Sequence, residues 1–280
     1  MTTPLDILLV SDLHFRNQTR LPTPHPTRRG EWGALFLRKS LHRLNHLGIQ
    51  PGLIILLGDL LDDGLAAGAE DDLAELARIL QSLKIPVLAV PGNHDGDRDR
   101  FSRLFNPPGL HEIGGYGFLV FQDDVGAGDV TSRAPEQIAW TRQVAESRPD
   151  LPLIALQHNP LHPRIDYPDY PFMMTNTEEI LAGYASAHIL LSVSGHYHPG
   201  QPPATLDELK TYTLPALCEA PFAFAHLRLE GREVTLREHH LKMDTPGLTD
   251  VHCHTEYAYC GTGISARQCL DLAGLLGVET

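Results

Sequence analysis

Five short apolar runs constrain this chain most: Leu5–Val10, Leu53–Leu57, Pro86–Val90, Leu151–Leu156 and His188–Val193. Each is nearly continuous in Leu, Ile, Val and Ala, the pattern of a strand buried on both faces. Helical patterns lie between them. Glu31–Leu47 places Trp32, Leu35, Phe36, Leu41 and Leu44 at helical spacing, and Asp71–Leu83 does the same with Leu73, Leu76, Ile79, Leu80 and Leu83. Acids near the start of the second suit the positive end of a helix dipole. Pro135–Ser147 opens on the proline that favours a first helical position. Strand–helix–strand alternation predicts an α/β core with parallel strands. Beyond Gly109 the texture changes. His111–Ile113 and Tyr116–Gln122 flank Gly114-Gly115 as a hairpin, and Thr211–Leu214, Phe222–Leu229 and Glu233–His239 read as further, antiparallel strands.

The ends of the apolar runs carry the chemistry. They lead into Ser11-Asp12-Leu13-His14, Gly58-Asp59, Gly92-Asn93-His94-Asp95, Gln157-His158 and Gly195-His196-Tyr197-His198. In an open α/β sheet the carboxyl ends of strands share one edge, where ligands bind. Residues far apart in sequence are therefore expected to converge. Carboxylates and imidazoles bind Zn, Mn and Fe, and Gly58, Gly92 and Gly195 let the backbone bend sharply beside them. The ligands outnumber what one cation needs. Two cations roughly 3.5–4 Å apart, sharing a carboxylate, would use them all. Taken singly, each signal is weak, since a lone Gly-Asp is usually a turn. His25, His42, His46, His111, His162, His226, His239 and His240 read as ordinary surface or core residues. The ordered set of five is the strong signal.

Asp12-x-His14, Gly58-Asp59, Gly92-Asn93-His94-Asp95, His158 and Gly195-His196-x-His198 resemble, block by block and in order, the signature of calcineurin-like metallophosphoesterases. The resemblance implies a four-layer αββα sandwich of two mixed β-sheets flanked by helices. It implies two divalent or mixed-valence metal ions (Mn, Fe or Zn). Asp12, His14, Asp59 and His198 would hold one, and Asp59, Asn93, His158 and His196 the other. His94 would meet the phosphate or leaving group, with Asp95 orienting it. The implied reaction is hydrolysis of a small phosphate ester, a phosphodiester or phosphomonoester, through a metal-activated hydroxide. The compact length and the Gly92-Asn93-His94-Asp95 block lean towards the bacterial cyclic-nucleotide phosphodiesterase branch. In several relatives a second His follows the His of the fourth block, and here Asn159 stands there. The rival readings are a non-catalytic scaffold of the same fold and a nuclease for single-stranded nucleic acid. A scaffold typically loses ligands or the histidine at position 94, and this chain keeps them.

Composition narrows the field further. A formal net charge of −13 over 280 residues opposes stable binding to a nucleic-acid backbone. No apolar run approaches the roughly 18 residues of a membrane span. No basic stretch precedes Leu5–Val10, so no signal peptide and a cytoplasmic location are expected. Cys218, Cys253, Cys260 and Cys269 form no C-x-x-C pair and are expected as reduced thiols. Two proline-rich loops are long enough to suggest function. Phe15–Gly30 carries Arg16, Arg20, Arg28 and Arg29, for which a solvated loop is the plainer reading. Asn159–Asn176 starts at the fourth block and is expected to overhang the site. Its Tyr167, Tyr170, Phe172 and Met173 either stack on a base or pack the loop onto the sandwich.

The sequence divides into a metallophosphoesterase domain, residues 1–245, and a C-terminal segment, 246–280. The segment contains Asp250-Val251-His252-Cys253-His254-Thr255-Glu256-Tyr257 and then a helical pattern over Ser265–Val278. It resembles the opening of a PHP (polymerase and histidinol phosphatase) domain without the rest of that barrel. An isolated His-x-His completes no such site, so a piece of a longer fusion, a remnant or a docking tail is expected, with His252 or His254 reaching the main site as the further alternative.

Overall fold

The computed structural model describes residues 4–17 and 25–241. The strands are β1 (Leu5–Val10), β2 (Leu53–Leu57), β3 (Val87–Val90), β4 (Gly109–Ile113), β5 (Tyr116–Val120), β6 (Asp124–Val125), β7 (Thr131–Ser132), β8 (Leu153–Leu156), β9 (Leu191–Ser194), β10 (Gln201–Leu206), β11 (Leu209–Thr213), β12 (Ala223–Glu230) and β13 (Glu233–His240). The helices are α1 (Gly33–His46), α2 (Ala69–Ser82), α3 (Arg98–Leu104), α4 (Pro135–Ser147) and α5 (Thr177–Ser186). One sheet has the order β13-β12-β1-β2-β3 and the other β10-β11-β9-β8-β5-β4. Parallel pairs form the centre of each, and antiparallel β12, β13, β4 and β10 extend them.

Alternation along the strands explains the layers. Ile7, Leu9, Ile55 and Leu57 face the second sheet, where they meet Tyr116, Phe118, Ile154, Leu156 and Val193. Leu8, Val10, Ile54 and Leu56 point the other way, onto Phe36, Leu44, Leu73 and Leu76 of α1 and α2. The second sheet turns Leu119 and Ala155 outward onto Ile138 of α4 and Ile180 and Tyr184 of α5. This is the four-layer αββα sandwich expected. Each wholly buried Leu, Ile or Phe contributes about 1.5–3 kcal/mol, so the apolar runs hold both sheets together while leaving their carboxyl ends free for polar loops.

The differences from the sequence reading are local. Helix α1 is two residues shorter at its start than the periodicity predicts, and α2 begins two residues earlier, at Ala69. Helices α3 and α5 and strand β10 were not apparent. Helix α5 is short, with its apolar residues bunched over Ile180–Ala182 rather than spread at helical spacing, and β10 contains Pro202-Pro203, which a sheet tolerates on an edge strand. Among the described residues no helix is long and apolar enough to cross a membrane. The expectations for His252, His254 and Ser265–Val278 lie outside the described residues.

Candidate metal centre

All five loops meet at one edge of the sandwich. The loops after β1 and β2 continue the ladder of their strands, with Asp12 N donating to Gly58 O (3.1 Å), His14 N to Asp59 O (2.9 Å) and Phe15 N to Leu60 O (2.7 Å). The loops after β8 and β9 are tied by Gly195 N to His158 O at 2.9 Å. Across the sheets, His196 N donates to Asp12 Oδ2 at 3.1 Å, and between the β2 and β3 loops of the first sheet His94 N donates to Asp59 Oδ1 at 2.9 Å. Asp12, His14, Asp59 and His196 all have left-handed backbones, with φ of 51°, 43°, 50° and 65°. Gly58 also needs positive φ, at 92°. Gly92 is required for a different reason than the sharp bend expected. A Cβ there would lie 2.2 Å from Asp59 Oδ1.

The side chains converge as the spacing predicts. Asp59 Oδ2 lies 3.7 Å from His14 Nε2 and 3.3 Å from His158 Nε2. On one side His14 Nε2 faces His198 Nε2 at 3.2 Å, and His198 Nε2 lies 3.5 Å from Asp12 Oδ1. On the other, His158 Nε2 is 3.2 Å from both Asn93 Oδ1 and His196 Nδ1. His158 Nδ1 donates to Leu57 O at 2.7 Å, which makes Nε2 the nitrogen that points into the cluster. Asp12 Oδ1 and His196 Nε2 are buried without a hydrogen-bond partner. Buried lone pairs crowded in this way are what cations require, and two triads, His14–Asp59–His94 and Asp59–His158–His196, have ligand atoms within 4.8 Å of one another. Asp59 belongs to both.

Charge in the cluster follows from these contacts. Burial raises the Asp12 carboxyl, but the His198 imidazole 3.5 Å from Oδ1 outweighs it and leaves the group lowered to about 2. Burial disfavours the His158 imidazolium, yet Asp59 overrides it and lifts the group to about 10. His198 rises to about 9 against its burial, through Asp12 and Glu219. His196 falls to about 4, through burial and then the charge of His158. The raised His158 and His198 imidazoles thus face the lowered Asp12 and Asp59 carboxylates.

The role expected of Asp95 needs correction. Its carboxylate accepts from Leu61 N (2.9 Å) and Gly92 N (2.7 Å). The His94 ring is oriented instead by Asp62, whose carbonyl accepts from Nδ1 at 2.7 Å. Asp95 pins the loop rather than the imidazole. Burial, and then the charge of Asp59, push its own carboxyl up to about 7.

Other residues reach the site unannounced. Arg28 is not on a solvated loop: its Nη1 lies 3.2 Å from His14 Nδ1 and 3.5 Å from Asp62 Oδ1. Arg16 is buried 3.5 Å from the other Asp62 oxygen, and Arg20 lies outside the described residues. Glu219 sits 3.4 Å from His198 Nδ1 and fixes that ring. Cys218 Sγ is within 4.8 Å of the ligand atoms of His14 and His198, and burial pushes its thiol well up. His25, read as an ordinary residue, lines the cleft above the cluster together with Arg28, Asp129, Tyr170 and Phe172. The loop over 159–176 does overhang the site, as expected.

Fold and site together define a metal-dependent phosphoric ester hydrolase. Residues 5–200 match the calcineurin-like phosphoesterase family, and the chain belongs to it. A probable cyclic nucleotide phosphodiesterase of Fibrobacter succinogenes is 25% identical over 219 residues, 76% of this chain and 79% of its own length. A probable glycerophosphodiester phosphodiesterase of Arcobacter nitrofigilis is 21% identical over 210 residues, 69% and 71% of the two chains. A dimetal phosphatase from Danio rerio shares the fold with a TM-score of 0.62 at 16% identity, over 83% of this chain and 98% of that one.

Proposed function

We propose that the chain hydrolyses a small phosphodiester with two divalent or mixed-valence cations, Mn, Fe or Zn. Asp12, His14, Asp59 and His198 hold one cation, and Asp59, Asn93, His158 and His196 the other. The observation that carries this reading is Asp59 Oδ2, placed 3.7 Å from a ring nitrogen of one triad and 3.3 Å from that of the other. Bound there, the cations would neutralise phosphoryl oxygens and lower the pKa of water towards neutrality.

The remaining residues act on the ester itself. His94 borders the cleft, and its Nδ1 donates to Asp62 O, so Nε2 is the nitrogen left to meet substrate. A proton given from there to the departing oxygen supplies general-acid catalysis. Arg28 adds a fixed positive charge to the same cleft. The diester preference, with cyclic nucleotides among the candidates, is supported by the two phosphodiesterase relatives rather than by the ligand set, which serves monoesters equally well.

The test is hydrolysis of bis-p-nitrophenyl phosphate with added manganese, followed by a panel of cyclic nucleotides, phosphomonoesters and single-stranded DNA. His94→Ala is expected to lose about 10²–10⁴-fold in kcat while retaining its metal by elemental analysis. Loss of metal in that variant would make His94 a ligand, a role its place in the His14–Asp59 triad allows.

A further inference from the structure

The cleft above the metal cluster, with a volume of about 470 Å³, is lined by two unlike sets of side chains, the nitrogen-bearing Arg28 and His94 and the wall formed by Asp129, Tyr170 and Phe172. Resting on the phosphodiesterase reading, we propose that Asp129, Tyr170 and Phe172 form a subsite for an amine carried on one ester arm of the substrate.

The subsite is assembled from two loops. Asp129 ends the turn Ala127–Asp129 between β6 and β7, with φ of 59°. Tyr170 and Phe172 come from the loop that follows His158. The loops are fastened together by Thr175 N donating to Thr131 O at 2.9 Å, and by Arg133 N to Asn176 Oδ1 at 3.1 Å with Asn176 Nδ2 returning to Arg133 O at 2.9 Å. Asn159, where several relatives carry a histidine, donates from Nδ2 to Phe172 O at 3.0 Å and holds the aromatic wall. Tyr170 and Phe172 stand 5.6 and 5.7 Å from the His196 ring and 4.7 Å from each other, so the wall abuts the cluster.

Hydrogen-bond accounting selects the ligand. Tyr170 OH donates to Asp129 Oδ2 at 3.1 Å, which uses the phenolic proton. What the pair still offers is acceptors, Asp129 Oδ1 and the lone pairs of the Tyr170 oxygen. A carboxylate repels phosphate, so this wall serves the part of the substrate away from phosphorus. An N–H donor meets it through a charge-assisted bond, and an aromatic face beside it favours a cationic or flat amine over an alkyl group. Two sources share that chemistry: an aliphatic ammonium and the exocyclic amine of a nucleobase.

The experiment measures kcat/KM, with manganese present, for two matched pairs. One is 2-aminoethyl against propyl p-nitrophenyl phosphate, and the other is 3′,5′-cyclic AMP against 3′,5′-cyclic IMP, in which a carbonyl replaces the amine. The wild-type chain is expected to favour the amine by about 10-fold or more in one pair, which identifies the source. Asp129→Asn is expected to bring that ratio close to one. Because the ratio is internal to each protein, changes in fold or metal content cancel. No preference in either pair overturns the subsite on the wild-type protein alone, and so does a preference that survives Asp129→Asn. Absence of turnover for every diester, bis-p-nitrophenyl phosphate included, overturns the phosphodiesterase reading and the subsite with it. Turnover without preference overturns only the subsite.

Discussion

Arg133 is the buried charge on which the second helical layer and one edge of the metal centre both depend. Its side chain is wholly inaccessible. It donates to Asp123 through Nε at 2.7 Å and Nη2 at 2.9 Å, and through Nη1 to Tyr184 OH. The guanidinium lies 3.5 Å over the Phe121 ring. Replacing it by Met keeps much of the volume but leaves the Asp123 carboxylate buried without its partner. Breaking a buried pair from one side costs about 3–5 kcal/mol. That is a large share of a typical total of about 5–15 kcal/mol. At about 2–4 °C per kcal/mol for a chain of this size, Tm should fall by roughly 6–20 °C. The effect should also reach the site. Tyr184 OH donates to Gln157 Oε1 at 2.9 Å, and Gln157 Nε2 to Ser192 Oγ at 2.7 Å, one residue from His158. Thermal unfolding by calorimetry at fixed manganese concentration measures the loss. Arg133→Met combined with Asp123→Leu should recover most of it, because a pair replaced on both sides by apolar groups is close to neutral. A single variant within about 1 kcal/mol of wild type, or a double variant no more stable than the single, would refute the reasoning.

Three further outcomes follow from the geometry. Gly92→Ala places a Cβ 2.2 Å from Asp59 Oδ1 and 2.4 Å from Asp59 N, so elemental analysis should find under half the wild-type metal while circular dichroism shows the fold retained. A full metal complement would mean the loop yields easily. Glu219→Gln removes the charge that fixes the His198 ring, and manganese affinity by titration calorimetry should weaken about 10–100-fold; an unchanged affinity would show that Asp12 suffices. Metal uptake at pH 7 should release protons, because His158 and His198 are raised to about 10 and about 9 and are therefore protonated before binding. The release, read from calorimetry in buffers of different ionisation enthalpy, should decline as pH rises through those values. A release independent of pH would contradict the raised values of the two imidazoles.

What was legible in the sequence was local. Each of the five ligand blocks begins within two residues of an apolar run, so strand and ligand could be read together; the strands buried on both faces give the α/β core, while the αββα layering comes with the family resemblance. The unread residues reach the site by tertiary routes. Glu219 follows an unpatterned stretch after β11 and is recognisable only once Leu217 N and Cys218 N pair with Ser11 O and Asp12 O. Asp62 follows the second block closely, but nothing in its spacing says that its carbonyl would turn the His94 ring. Arg28 and His25 lie in a loop whose composition favours solvent, and are held by a buried carboxylate and the cleft. Asp129 is carried by a ribbon of two-residue strands, too short for any periodicity to show.

The left-handed backbones at Asp12, His14, Asp59 and His196 connect fold to chemistry more closely than the side chains alone suggest. Each such residue costs about 1 kcal/mol or more, and glycine would adopt the same conformation without penalty. The chain nevertheless places its carboxylates and imidazoles there. Extended backbone would carry each strand straight past the sheet edge and send alternate side chains to opposite faces. The left-handed residues stop that progression, while the bonds from Asp12 N, His14 N and Phe15 N to the β2 loop keep the backbone amides satisfied. The strain is therefore held by the ladder beneath it rather than relieved within the loops. Donor atoms from four directions can then crowd to within about 3–4 Å, a spacing that mutual repulsion opposes and that cations of opposite charge stabilise.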